Sequence, residues 1–236
     1  MDYLPIILIS LVSYLLGSLS FGRIVARILD PGLDLENIEM EIEGAEEGYR
    51  LQSIGGNTVS MKLGSRGGCT VGLLDILKVF LPTLAVRFLY PDQTYHLLAA
   101  LAGFAGHCWP IYYRFKGGRG ISAFYGGLFA IDPIGAFVVA LLAQVIGMLI
   151  LKELLFVYAG GVLFLIPWML LTKSNWHYYV YALLINVLFI TAMIPEIRQI
   201  ISLRKKYGKG DMAVSMEKFP MGRQMLRLMH RLGIKM

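Results

Sequence analysis

Charge is what this sequence has least of. Only 16% of its 236 residues are charged, 56% are apolar, and the mean hydropathy is +0.62. A water-soluble domain of this length needs a far more charged surface, so a soluble globular fold is excluded. Cysteine is nearly absent. Cys69 and Cys108 stand alone, with no second histidine at ligand spacing, so neither a disulfide framework nor a metal centre is expected. The chain has no Gly-x-x-x-x-Gly-Lys-Ser/Thr run, and no strand pattern precedes its glycines, which removes the Walker class of nucleotide binders. The net charge is +6, but the cations sit in loops and the C-terminal stretch without interleaved aromatics. That distribution points to lipid headgroups and membrane topology, not to nucleic acid.

What the chain has in abundance is long apolar runs. Residues 4–29, 69–90, 95–113, 134–151, 154–171 and 178–193, with a short run at 121–131 ended by Asp132-Pro133, predict an all-α polytopic membrane protein. That makes about seven transmembrane segments, one of them short. The first run is too long for a removable leader and lacks a small-residue cleavage site, so it is expected to stay as a membrane helix. In it Gly17, Ser18, Ser20 and Gly22 form a small-residue stripe that lets another helix approach closely, and Arg23 and Arg27 can snorkel from its inner end.

Two polar stretches separate the first runs. Residues 30–50 carry Asp30, Asp34, Glu36, Glu39, Glu41, Glu43, Glu46 and Glu47, an acidic insertion that is either a solvated segment or a site for a hard cation. Residues 53–68, rich in glycine, hydroxyls and amides, read either as a linker or as a backbone-lined polar loop. In the second case Gly55, Gly56, Asn57 and Thr58 are candidates for binding a small polyol. Beyond them Asp75 and Lys78 lie one turn apart on one helix face inside an apolar run. Such groups either face a polar cavity or form an internal salt bridge.

The most informative stretch is residues 106–120, which holds His107, Arg114, Lys116, Gly117, Gly118, Arg119 and Gly120 between two apolar runs. Glycines permit left-handed dihedrals and leave amides bare, so Gly117, Gly118 and Gly120 can turn successive N–H groups toward one anion. The run starting at Ile121 places a helix N-terminus just behind them. Lys116 adds charge, and Arg119 a planar fork suited to phosphate oxygens. The competing reading is a plain turn whose cations mark the cytoplasmic face. His107, alone near a helix end, reads as a structural hydrogen-bonder.

Cations settle the expected orientation. Loops after the first, third and fifth segments hold Arg23, Arg27, Arg50, Lys62, Arg66, Arg114, Lys116, Arg119 and Lys152, whereas the intervening loops hold little beyond Arg87 and Lys173. The amino terminus is therefore expected outside, with both glycine-rich stretches and the C-terminus cytoplasmic. Residues 1–197 form the expected membrane domain. Residues 198–236 form a basic tail in which Met221, Met225, Leu228, Met229 and Leu232 oppose Arg223, Arg227 and Arg231, the pattern of an interfacial amphipathic helix.

The run Gly106-His107-x-x-Pro110 into Phe115-Lys116-Gly117-Gly118-Arg119-Gly120 resembles the glycine motif of the bacterial acyl-phosphate:glycerol-3-phosphate acyltransferases. Gly17-Ser18 with Phe21-Gly22, Leu74-Asp75-x-x-Lys78 with Pro82, and Gly55-Gly56-Asn57-Thr58-Val59 resemble other parts of that family, in the same order. The resemblance implies a multi-pass enzyme of the bacterial inner membrane that moves an acyl chain from acyl phosphate to glycerol 3-phosphate. The products would be lysophosphatidate and phosphate, in phospholipid synthesis, with no cofactor or metal. It also implies catalytic roles for Asp75, Lys78, His107 and Arg119, phosphate binding by residues 116–120, and acceptor binding by residues 55–58. The chain departs from the family pattern at Leu51, where a serine is usual, and at Met61, where an arginine is usual and Lys62 is the neighbour. Arg119 replaces a lysine, and Met193 and Glu196 stand for a His-x-x-Asn. Those departures leave room for a related acceptor in place of glycerol 3-phosphate, and they keep a second reading open, a catalytically impaired relative that binds acyl phosphate or lipid as a regulatory or partner membrane protein.

Overall fold

A computed structural model describes residues 3–35, 39–40, 49–50, 53–207, 223 and 226–227. Helix follows the apolar runs, as their periodicity and length require. The elements are α1 (Tyr3–Gly17), α2 (Phe21–Leu29), α3 (Gly56–Leu89), α4 (Tyr95–Cys108), α5 (Ile121–Ile131), α6 (Pro133–Val145), α7 (Leu154–Thr172) and α8 (Trp176–Tyr207). A 3₁₀ turn, Ile111–Tyr113, follows α4, and a π-helical segment, Ile146–Leu151, continues α6. A two-residue antiparallel ladder of β1 (Glu39–Met40) with β2 (Tyr49–Arg50) lies within the acidic insertion. Glu36, Glu41, Glu43, Glu46 and Glu47 of that insertion, and Met221, Met225, Leu228, Met229, Leu232 and Arg231 of the tail, lie outside the described residues.

Five stretches are long and apolar enough to cross a bilayer: Tyr3–Leu29, Gly56–Leu89, Pro133–Leu151, Leu155–Thr172 and Trp176–Ser202. The expected segments at 95–113 and 121–131 are shorter helices, α4 of 14 residues and α5 of 11. At about 1.5 Å per residue they are about 21 and 17 Å long, against about 30 Å of hydrocarbon. Both run through the middle of the molecule. Phe104 of α4 and Phe124 and Leu128 of α5 are fully buried in the main core, with Val79, Leu165 and Ile185 of the long helices around them. The outer surface is apolar, with Leu4, Leu8, Phe137, Leu141 and Leu183 exposed, as a multi-pass membrane protein requires.

Three features differ from the sequence expectation. The first run is broken between α1 and α2, because Leu19 gives its carbonyl to Lys78 Nζ (2.6 Å) and Ser18 Oγ bonds back to the Tyr14 carbonyl (2.8 Å). Gly17 still performs the close approach expected of the small-residue stripe, since a Cβ there would lie 2.2 Å from the Gly103 carbonyl of α4. Second, residues 53–68 are not a polar loop. They are helical from Gly56 onward, and the chain turns sharply at Gly64 (φ +77°). The short arm before that corner lies against the start of the long arm, so that a Cβ on Gly56 would sit 2.8 Å from the Gly68 carbonyl. Val59 drives this, buried with Ala26, Leu35, Ile54 and Val71 in a second core at the α2–α3 junction that outweighs glycine's poor helix propensity. Third, α4 ends at Cys108, where Trp109-Pro110 stops it.

Candidate functional site

The break between α1 and α2, the middle of α3, the end of α4 and the glycine stretch converge on one small cavity, partly open to solvent. Ser18, Ser20, Asp75, Lys78 and His107 supply its polar lining, and Leu19, Ile54, Pro110 and Gly118 close it. The i,i+3 spacing on α3 aims Asp75 and Lys78 the same way, and both are buried, at 3% and 8% exposure. Lys78 Nζ lies 2.8 Å from Asp75 Oδ1 and donates to the Leu19 carbonyl. His107 Nδ1 is 3.6 Å from the same carboxylate oxygen, too long for a hydrogen bond but close enough for electrostatic coupling. A carboxylate held between an ammonium and an imidazole therefore floors the cavity.

The glycine stretch covers that floor by close packing. Gly118 N–H donates to the His107 carbonyl (3.1 Å), and a Cβ at Gly118 would lie 2.2 Å from His107 Nε2. At Gly117 a Cβ would lie 2.2 Å from the His107 carbonyl oxygen. These two glycines are needed for contact with the end of α4, and neither has a left-handed φ. Gly120 does (φ +89°), and so do the non-glycine residues Arg114 (φ 52°) and Phe115 (φ 61°). The expected row of bare amides is corrected in part: the amides of Phe115, Lys116 and Gly118 are already bonded to carbonyls of Pro110, Tyr113 and His107. The expected helix start holds, with Gly120 as the N-cap of α5.

Arg23 is a residue that sequence reasoning placed only as a snorkelling cation. Its guanidinium donates to Ser20 Oγ (3.3 Å) and to the Lys116 carbonyl (3.0 Å), and stacks over the Tyr113 ring at 4.6 Å. It ties α2 to the glycine stretch. Its position three residues after Ser20, in the first turn of α2, was the available signal. The candidate acceptor residues sit beside the same stretch, because Ile54 N–H reaches the Gly117 carbonyl (3.4 Å). They lie on the short arm of α3, however, and Thr58 spends its hydroxyl on the Ser53 carbonyl (2.7 Å). The cavity is lined by Ile54, not by Gly55, Gly56, Asn57 or Thr58.

Arg119 does not join the cavity. Its Nε lies instead 2.5 Å from Glu196 Oε2 of α8. Glu196, one of the departures noted above, is thus the partner of the arginine that sequence reasoning assigned to phosphate. Among the described residues no group of three or more His, Cys, Asp or Glu side chains has the arrangement of a metal site.

A separate cluster lies at the junction of α5 and α6, away from the cavity. Asp132 caps α6, accepting from Gly135 N–H (2.9 Å) and Trp168 Nε1 (3.1 Å), and pairs with Lys173 (3.0 Å). Burial pushes its carboxyl up, but the Gly135 amide, Lys173 and Trp168 outweigh burial and hold it below its ordinary 3.8. Nearby, Arg87 of α3 donates to the carbonyls of Ala130 (2.7 Å) and Ile131 (3.1 Å), capping the end of α5.

Comparison with known proteins matches a family model described as glycerol-3-phosphate acyltransferase over residues 7–203. A glycerol-3-phosphate acyltransferase of Pelagibacter ubique is 38% identical over 56% of this chain and 60% of its own length. One from Aquifex aeolicus is 34% identical over 51% and 57%. This chain thus spans only about three-fifths of the length of those two relatives. One from Desulforamulus reducens is 30% identical over 78% of this chain and 86% of that protein. A solved structure of PlsY, an integral membrane glycerol 3-phosphate acyltransferase in its glycerol 3-phosphate form, superimposes with a TM-score of 0.70 at 25% identity, covering 85% of this chain and 94% of that one.

Proposed function

The chain belongs to the glycerol-3-phosphate acyltransferase family, and from that premise we propose that it transfers an acyl chain from acyl phosphate to the 1-hydroxyl of glycerol 3-phosphate. The observation that carries this reading is the convergence of Lys78, Asp75, His107, Ser18 and Ser20 on one cavity beneath the glycine stretch. The acceptor oxygen forms the new ester bond while the bond from the acyl carbon to the phosphate oxygen breaks. The hydroxyl proton leaves on inorganic phosphate, and lysophosphatidate remains. Acyl phosphate is already activated, so position and charge are what the protein has to add. Lys78, fixed between Asp75 and the Leu19 carbonyl, is the cation set to meet negative charge developing in the cavity. Asp75 and His107 position it and the overlying stretch, while Arg23 and Lys116 hold the rim on which a phosphate would rest.

The cation asymmetry supports an amino terminus outside and a cytoplasmic glycine stretch in the bacterial inner membrane, with residues 1–197 as the membrane domain and 198–236 as a basic interfacial tail. The test is phosphate release from palmitoyl phosphate by the purified protein, with and without glycerol 3-phosphate. Acceptor-dependent release is expected. Release that ignores the acceptor, or none at all, sinks the reading. One observation favours the second reading, an impaired relative that binds acyl phosphate or lipid: the loop arginine is neutralised by Glu196. Binding of palmitoyl phosphate without turnover would establish it.

A further inference from the structure

Glu196 has no part in the cavity, yet it is only 6% exposed and its carboxylate is aimed at Arg119, whose side chain is 16% exposed. A buried carboxylate is kept charged only where a cation compensates it, and here that cation belongs to the glycine stretch. Glu196 is the partner of Arg119 among the described residues. Carboxylate and phosphate oxygens seek the same guanidinium donors, so the two compete for one group. Even a phosphate that took the outer edge of the fork would approach a resident negative charge in a partly desolvated place, where repulsion is poorly screened.

We propose that Glu196 is a specificity-setting counter-ion: it holds the Arg119 cation closed, so that a phosphate-bearing substrate gains that arginine only by outcompeting a carboxylate of the protein itself. The position of Glu196 in α8 suits this. It follows Pro195, which cannot donate to the preceding turn, so the helix has a point at which to bend. Beyond it, Ile200 packs on the second core beside α2 and α3, so the inner end of α8 bridges the glycine stretch and the short arm of α3. The identity of the phosphate-bearing substrates rests on the function proposed above. The competition itself does not.

The test is equilibrium binding of inorganic phosphate and of glycerol 3-phosphate to the full chain in detergent, by calorimetry, for wild type and Glu196→Gln. The variant is nearly isosteric and removes only the charge. It is expected to bind both anions on the order of ten-fold more tightly, about 1.4 kcal/mol, and the gain should vanish when Arg119→Gln is added. Equal or weaker binding by Glu196→Gln, with or without a lower melting temperature, overturns the proposal and makes Glu196 a structural tether. Should that variant fail to fold, Glu196→Asp keeps the charge on a shorter stem and loosens the contact. A smaller gain in affinity is then expected, and unchanged or weaker affinity overturns the proposal. Tighter anion binding without acyl transfer by wild type would sink the proposed reaction and leave the counter-ion standing. Acyl transfer with no gain in Glu196→Gln would do the reverse.

Discussion

Replacing Asp75 by asparagine separates the two roles that its geometry allows. In the wild-type protein its carboxylate is 2.8 Å from Lys78 Nζ and 3.6 Å from His107 Nδ1, with both charged groups buried. Asparagine keeps the volume and removes the charge, leaving Lys78 with the neutral Leu19 carbonyl. Breaking a buried pair from one side costs about 3–5 kcal/mol, because the other charge stays desolvated. At about 2–4 °C per kcal/mol for a chain of this size, the melting temperature in detergent should fall by roughly 6–20 °C. Adding Lys78→Met removes the stranded ammonium and should recover most of that loss, as apolar replacements of buried pairs generally do. Turnover should not recover, since the cation that faces developing charge is then gone. The assay is thermal unfolding followed in parallel with phosphate release from palmitoyl phosphate. If Asp75→Asn/Lys78→Met regains both stability and turnover, the pair is structural and the site assignment built on it is wrong.

Three further outcomes are expected. Gly118→Ala should lose most turnover and cost about 1–3 kcal/mol of stability, because its methyl would overlap the His107 ring; wild-type kinetics in that variant would show that the stretch does not pack as described. Asp132→Asn should be less stable than wild type at neutral pH, by an amount that shrinks as pH falls below about 4. A carboxyl held lower in the folded state than its ordinary 3.8 stabilises above that value and loses its effect as pH drops through the folded value. Melting curves of both proteins between pH 3 and 7 read this, and a constant difference would contradict it. A cysteine introduced near Gly44 should be shielded from an impermeant maleimide in intact cells, and ready labelling would invert the proposed orientation.

The parts of this fold that are set by local periodicity were legible. Apolar runs became helices, and Asp75 and Lys78, three residues apart, share a face because the helix dictates it. What was not legible depends on groups distant in sequence. Nothing near residues 53–68 reveals that Val59 is buried against Ala26 and Ile54, and that contact turns a glycine-rich stretch into two helical arms. The break after α1 likewise depends on a lysine far along the chain taking the Leu19 carbonyl. Glu196 was visible as a departure from the family pattern, but its partner was not, since a charge near the end of a span could meet any loop on that face.

The glycines show how the two levels combine. A stretch such as 116–120 suggests an anion-binding row of amides when read alone, yet Gly117 and Gly118 are small because the end of α4 lies against them. Gly106, where a Cβ would fall 2.2 Å from the Tyr14 carbonyl, draws α1 onto α4 in the same way, and Gly126 draws α5 onto the Ile76 carbonyl of α3. Each contact brings helices carrying polar groups closer than side chains of ordinary size would allow. With Gly118 N–H already given to His107, the proposed phosphate recognition rests more on side chains than the motif suggests: Lys78 lines the cavity, and Arg23 reaches the glycine stretch at the Lys116 carbonyl. Side-chain cations, unlike backbone amides, can be neutralised one at a time, and Glu196 does this to Arg119. In this chain the affinity for an anion can therefore be tuned by a single carboxylate on a neighbouring helix, while the backbone of the glycine stretch stays as it is.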